Sequence, residues 1–587
     1  MICRHTSLTQ TSLPGMCDQM MFSQAMIKEY NDETSWFRRF RNEVTALIDP
    51  TIFDCLYSDI GAPSIDPRYA IAFLVLKEAN NFTYDQMYDA AVWDPRFRVA
   101  LGLDEGENAP ARKSVFNFWR RNREYTEGDK DKKKGEQNAE QNAEQNDEQK
   151  DKQKDKQKER EDLIDKAFKQ LVKALVQNYG LEGSVIRMDS KLLGTNIANM
   201  GRLQIVQETL SKEMERLEKE YEEIPANLNK EIQEVLKTDA DKFVYHNNSE
   251  GVKARLDLLG RLSYNLIKAC KLYEDEGNLL VRVFCEQYNY KIVDNEYGST
   301  DEQDNASEAS NESLSLSEVI AADVGNARIE PKKSKDISAQ SVQNPNDPDA
   351  TYRKKNDQSV KGISANVTET ISTVIDADGE EKTCSIIVGV DVKNASASDD
   401  TYLSKGISDA EEATGQKVQT VHADGAYNSS ENRELTEDKG IELITGGLGG
   451  SKSNFELELD QETEDLHVKD TTTGKEYDLP VSHDKKGKRV WVLKIEVDGK
   501  TKTYRFTDKN LEVQAARKKQ EEYSAEVLSR RNNVEATMFL ISQNTRNKKT
   551  RYRGIFRNKL AITTMSIWIN FVRLTGCKKK PEASAAA

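Results

Sequence analysis

Gly183-Ser-Val-Ile-Arg-Met-Asp189 and Val418-Gln-Thr-Val-His-Ala-Asp424-Gly-Ala-Tyr427 are short runs, rich in apolar and β-branched residues, each leading to one carboxylate. Runs of this kind are the pattern of strands in a buried sheet, which delivers charged groups only at its rim. A third acid, Glu535, lies in Ser529-Arg-Arg-Asn-Asn-Val-Glu535-Ala-Thr-Met-Phe539, which has no strand alternation and reads as helix. Arg530 and Arg531 are odd company for a buried structural acid but suit a site that handles phosphate. Three carboxylates far apart in sequence can converge on two divalent ions roughly 3.5–4 Å apart, one activating an attacking oxygen and one stabilising a leaving oxygen.

Each sharp reading has a plain rival. An acid at a strand end is usually just solvated, and Asp391 also ends a strand-like run, Thr383-Cys-Ser-Ile-Ile-Val-Gly-Val-Asp391. His422 is either a ligand or a packing residue sharing a face with Asp424. Trp568 and Phe571, at helical spacing, read as core in preference to a base-stacking platform.

Working outward, Ser364 to Ile375 and Thr383 to Asp391 flank the turn Asp376-Ala-Asp-Gly379 and predict a hairpin, followed by a helix over 401–414. Near the start, Asp66-Pro67 opens a helix carrying Ile71, Leu74 and Val75; Thr83 caps a second, and Asp94-Pro95 starts a third. This pattern suits a helix-turn-helix-like bundle, or a helical bundle with another role. Residues 127–161 are almost wholly Glu, Gln, Asn, Asp and Lys and predict a solvated linker or exposed charged helix. Leu203, Val206, Leu210, Met214 and Leu217 make one helical seam, and Leu256, Leu259, Leu262 and Leu266 a second, which predicts a helical insertion over 201–293. Residues 294–350, rich in Ser, Asn, Asp and Glu, predict a flexible acidic connection. Alternation at Phe455, Leu457 and Leu459, and again around Val490 to Phe506, predicts a β-rich insertion over 441–510.

A chain of 587 residues is too long for one core. Its 37% hydrophobic and 32% charged residues leave a good part of it solvated, and its net charge of −15 excludes a generally basic coat. The charge is unevenly spread, because Ile541 to Lys580 contains no Asp or Glu but carries Lys548, Lys549, Arg551 and Arg553 among its bases. Seven scattered cysteines without CxxC spacing fit reduced thiols. No signal-peptide pattern opens the chain and no apolar run approaches the ~20 residues that span a bilayer, so the expectation is a soluble, cytoplasmic protein with no membrane partner.

Five segments carry a resemblance: Arg187-Met-Asp-Ser-Lys-Leu-Leu-Gly-Thr-Asn-Ile197, Asp347-Pro-Asp-Ala-Thr-Tyr352, His422-Ala-Asp-Gly-Ala-Tyr-Asn-Ser429, Val534-Glu-Ala-Thr-Met-Phe539 and Lys549-Thr-Arg-Tyr-Arg-Gly554. In this order the chain resembles DDE transposases of bacterial insertion sequences, of the group with a β-rich insertion between the second Asp and the Glu. The resemblance implies an α/β fold with a ribonuclease-H-like mixed-sheet core over 162–200, 351–440 and 511–575. A helical N-terminal DNA-binding domain over 1–126 would precede it and a tail over 576–587 would follow. It implies that Asp189, Asp424 and Glu535 are catalytic and hold two Mg²⁺ or Mn²⁺ ions, and that Arg531 contacts DNA. Arg531 matches the Arg of a Tyr-x2-Arg-x3-Glu-x6-Lys signature, whereas Leu528 and Ser542 replace its Tyr and Lys. Lys548, Lys549, Arg551 and Arg553 would add phosphate contacts. The implied function is metal-dependent cleavage of double-stranded DNA at element ends, followed by strand transfer into target DNA, in a nucleoid-associated homodimer. A ribonuclease-H-like nuclease without strand transfer, or a domesticated or decayed transposase that binds DNA without cutting it, are the alternatives.

Overall fold

The computed structural model describes residues 23–57, 64–127, 161–292, 314–355, 358–446, 453–497 and 500–579, apart from the isolated positions 105, 221, 324, 326, 377, 485 and 486. The charged segment expected over 127–161 lies almost wholly outside these residues.

Six strands form the central mixed sheet: β1 (Val185–Gly194), β2 (Thr351–Lys355), β3 (Gln358–Thr370), β4 (Ile387–Asn394), β5 (Thr420–Ala423) and β6 (Glu442–Thr445). β1 runs antiparallel to β3 on one edge and parallel to β5 on the other, and β5 runs parallel to β6. The far edge of β3 is shared by β4 and the short β2, both antiparallel to it. The strand order is therefore β4–β3–β1–β5–β6, with β2 extending the β3 edge beyond β4. The expected hairpin forms: β3 and β4 pair, and Ser372–Ile375 with Glu381–Cys384 continue the ribbon to the turn at Gly379.

Both faces of the sheet are covered, which is why its strands read as apolar runs. For the helices, α1 is Trp36–Glu43, α2 Pro67–Ala79, α3 Tyr84–Trp93, α4 Pro95–Ala100, α5 Arg112–Glu127, α6 Leu163–Tyr179, α7 Arg202–Lys219, α8 Ser249–Ala269, α9 Leu403–Thr414, α10 Asn533–Ser542 and α11 Ile555–Leu574. On one face α9 presses Gly406 onto Met188 of β1 and Thr368 of β3; a Cβ there would stand 2.3 Å from the Met188 Cε, so only glycine lets the helix come this close. The opposite face carries Arg187, Glu369 and the helix α10.

The N-terminal helices begin where the caps predict: Asp66, Thr83 and Asp94 each accept a backbone N–H of the following turn. They share their core with the central sheet. Phe40 of α1 packs against Trp568 at a tilt and edge-on against Phe571 of α11, and one continuous core joins α1 to α6, the sheet, α10 and α11. Trp568 and Phe571 are thus core, as their spacing predicts.

Two insertions have cores of their own. α7, α8 and the shorter helices between and after them bury Leu203, Leu210, Leu259 and Leu266 with their neighbours. The expected acidic connection needs correction over residues 314–350. There, Leu316–Ala322 is helical and buries Leu316 and Ile320 in that core, while Ala327–Pro331 pairs with Tyr288–Ile292. Buried apolar residues every three to four positions outweigh the polar composition around them. In the β insertion, Phe455–Leu459, Leu466–Asp470 and Glu476–Leu479 form one small sheet and Ser482–His483, Arg489–Val497 and Lys500–Thr507 another, closing over Trp491.

Candidate active site

Asp189 does not end its strand as the sequence predicts; β1 continues to Gly194 because the long β3 pairs with it as far as Gly362. The parallel neighbour stops sooner. β5 pairs with β1 only over Val185–Arg187, in the register Arg187↔His422. One further two-residue step on each strand, keeping the face, brings Asp189 beside Asp424, where β1 has lost its partner. The electrostatics agree: burial pushes the Asp189 carboxyl up to about 6, and the Asp424 charge adds to that rise while Arg531 and Lys355 oppose it. Each carboxylate also accepts the backbone N–H of the following residue, Ser190 at 2.9 Å and Gly425 at 2.8 Å.

The turn after Asp424 is fixed from beneath. The fully buried Tyr427 donates its hydroxyl to Asn366 Oδ1 of β3 at 2.7 Å, tying the Asp424 loop across β1 to the next strand. His422 is buried and its pKa is pushed down to about 4 by burial and by the charges of Arg530 and Arg187, so at neutral pH it is an uncharged packing residue. Asp391 lies on the far side of β3, opposite Asn366, with Lys393 3.7 Å away.

Glu535 occupies the first turn of α10, and its side chain is 61% exposed with Arg531 3.4 Å away. Arg531 thus pairs with Glu535, and its charge also acts on Asp189. Among the described residues, no three Asp, Glu, His or Cys side chains are grouped so as to hold a metal ion. Asp189 and Asp424 nevertheless fit a divalent cation, because a desolvated carboxylate beside a like charge is relieved by one. In this arrangement Glu535 is engaged by Arg531 instead.

A network that sequence reasoning missed anchors α10. Glu369 of β3 is completely buried, pairs with Arg187 at 2.8 Å and Arg573 of α11 at 2.8 Å, and accepts the hydroxyl of Thr537, two residues after Glu535. Arg187 also donates to the Arg530 carbonyl at 3.1 Å. The signal was there: Glu369 is an acid flanked by Thr368 and Thr370 inside a strand-like stretch, and Arg187 stands between Ile186 and Met188.

The basic segment is more structural than expected. Lys549 Nζ donates to the Ile197 carbonyl at 2.6 Å, Arg551 to that of Phe82 at 2.9 Å and Arg553 to that of Asn196 at 2.7 Å. Lys548 is exposed and reaches Gln358 Oε1 at 3.1 Å. Backbone bonds from Gly194 to Lys548 and from Thr550 to Gly194 lay this segment along the end of β1. Asp347 and Asp349 receive the Gly554 and Ile555 N–H groups at the start of α11. Three of the five segments quoted above for the resemblance thus meet at one place.

Residues 27–122, spanning α1 to most of α5, match a family model described as a transposase domain (DUF772), which supports a transposase. No curated protein and no solved structure matches the chain. No helix among the described residues is long and apolar enough to cross a membrane.

Proposed function

We propose that the chain is a DDE-type transposase whose sheet is a ribonuclease-H-like core and whose active site is Asp189, Asp424 and Glu535. The observation that supports this reading is that Asp189 of β1 and Asp424, just past the end of the parallel strand β5, come close enough for the Asp424 charge to act on Asp189. The helix of Glu535 packs on the same face, and the transposase-domain match at 27–122 supports the function class.

Mg²⁺ or Mn²⁺, as a pair of ions held by Asp189, Asp424 and a Glu535 released from Arg531, would supply the Lewis acidity that activates a hydroxyl for attack on a phosphodiester. The chain's own groups set the conditions. Asp189 must be ionised, and with a pKa near 6 it takes a proton in mildly acidic solution. Arg531 presents a planar fork suited to phosphate, so a phosphate arriving there competes with Glu535 for the guanidinium and frees the carboxylate. Glu369, through Thr537 and Arg187, keeps α10 seated while this exchange occurs. The substrate is double-stranded DNA, first the element's ends and then a target, and two ends brought together call for a homodimer.

The test is cleavage and joining of labelled duplexes in Mg²⁺ by Asp189→Asn, Asp424→Asn and Glu535→Gln, with Asp391→Asn as control. All three should lose cleavage while still binding DNA, and the control should cut normally. A variant of the three that cuts at the wild-type rate removes that residue from the site. The Arg531–Glu535 contact favours one second reading, a DNA-binding protein that no longer cuts; absence of cleavage in the wild-type chain would select it.

A further inference from the structure

Beginning at Ser190, immediately after Asp189, a cleft of about 780 Å³ runs along β1 to the loop at 547–549. Five lysines line it: Lys191, Lys355, Lys361, Lys548 and Lys549. Among the described residues the lining holds one acid, Asp399, which is engaged by Arg353 at 3.0 Å and by Lys355 at 3.8 Å. The other four lysines reach neutral oxygens: Lys191 the Ser542 hydroxyl at 2.7 Å, Lys361 the Met200 carbonyl at 3.4 Å, Lys548 the Gln358 amide oxygen and Lys549 the Ile197 carbonyl. Burial and the neighbouring Lys549 lower the Lys361 pKa. In a chain of net charge −15, the described lining gathers five lysines around a single carboxylate, Asp399.

A second, independent observation lies in the backbone. Arg546 and Lys549 exchange both backbone hydrogen bonds, at 2.9 and 3.0 Å, around Asn547 and Lys548, which adopt φ of +54° and +61°. This is a tight turn with left-handed backbone at both central residues, where Asn followed by Gly is preferred. Lysine in place of glycine is strained there, and strain kept at a cleft is a mark of function. The turn sets the Lys548 side chain in the lining.

We propose that this cleft binds the phosphates of a short unpaired stretch of one DNA strand, leading from the Asp189–Asp424 pair to the strained turn at Lys548. This rests on the reading of the chain as an enzyme that acts on DNA, and it adds that the strand is locally unpaired at the site. The volume lies in the range of pockets that hold a small ligand, about 300–1,000 Å³, which admits a few nucleotides and not a duplex.

The experiment measures binding of the full chain, in EDTA, to a duplex with a short unpaired tail and to the blunt duplex of the same sequence, with inorganic triphosphate as competitor. The variants are Lys548→Gly, which suits the turn better than lysine, and Lys548→Gly with Lys361→Gln. Wild type should prefer the tailed duplex. Lys548→Gly should weaken tailed binding severalfold and flatten its log affinity against log salt by about 0.7, and the double variant by about twice that. Blunt binding should weaken less than tailed binding, and Lys548→Gly should melt no lower than wild type. Equal loss on both duplexes, or an unchanged salt slope, overturns the cleft assignment while leaving the transposase reading intact. Triphosphate that abolishes the tail preference at concentrations too low to disturb blunt binding points to a free-phosphate site and overturns the strand. A wild-type chain that binds neither duplex overturns the functional reading itself.

Discussion

Asp189 is the residue on which burial, charge and chemistry meet, and its behaviour with pH follows from its position. Its pKa rises from an ordinary 3.8 to about 6 on folding, so folding favours the protonated form. Stability from that preference is complete below the unfolded value and is lost as pH rises through the folded one. At about pH 8 without divalent cations, the ionised carboxylate therefore costs up to about 3 kcal/mol, which Asp189→Asn should recover. The gain should vanish below about pH 4, where both chains are uncharged at this position. Urea unfolding at the two pH values measures it, and equal midpoints at both would show that Asp189 is not desolvated. Adding Mg²⁺ at the higher pH should raise the wild-type midpoint and leave the Asn variant unmoved, because a ligand stabilises only the form that binds it.

At the scale of elements, the seating of α10 on β1 and β3 decides whether Glu535 stands near the carboxylate pair. That seating depends on a buried carboxylate, Glu369, shared by Arg187, Arg573 and Thr537. Glu369→Ala leaves the buried Arg187 and the half-buried Arg573 without their shared counter-charge and should cost about 3 kcal/mol. Thr537→Val removes one hydroxyl and should cost about 1 kcal/mol while slowing cleavage more than its stability loss explains; thermal melts beside cleavage rates separate the two effects. Strands, caps and the helix of Glu535 were legible because they depend on local periodicity and side-chain-to-backbone bonds. The pairing of Asp189 with Asp424 was legible as a coincidence of motifs, but its geometry was not, since the register Arg187↔His422 is a contact across more than two hundred positions. The Glu369 network was overlooked because an acid inside an apolar strand gains its meaning only from the arginines that reach it from β1 and α11.

For the whole molecule, the packing of the N-terminal helices on α11 is illegible in the sequence for the same reason: apolar stripes on distant helices do not announce their partners. Phe40 is fully buried and packs on Phe571 at 5.3 Å between ring centroids, and Arg551 ties the segment after α10 to the Phe82 carbonyl between α2 and α3. The N-terminal helices should therefore melt with the central sheet. Phe40→Ala should lower that shared transition by about 3–5 kcal/mol, and cutting the chain before 127 should leave an aggregating remainder instead of a folded nuclease that has merely lost DNA specificity. The β insertion offers the contrast. Trp491 is also fully buried and donates its ring N–H to the Glu464 carbonyl at 3.0 Å, but it belongs to a separate core. Trp491→Ala should cost a comparable amount, about 3–5 kcal/mol, confined to the insertion, leaving the main transition and metal-dependent cleavage of a short duplex unchanged. Calorimetry of the two variants decides the matter: if Phe40→Ala releases a separate helical transition while the main one stays, the N-terminal helices are an independent domain after all.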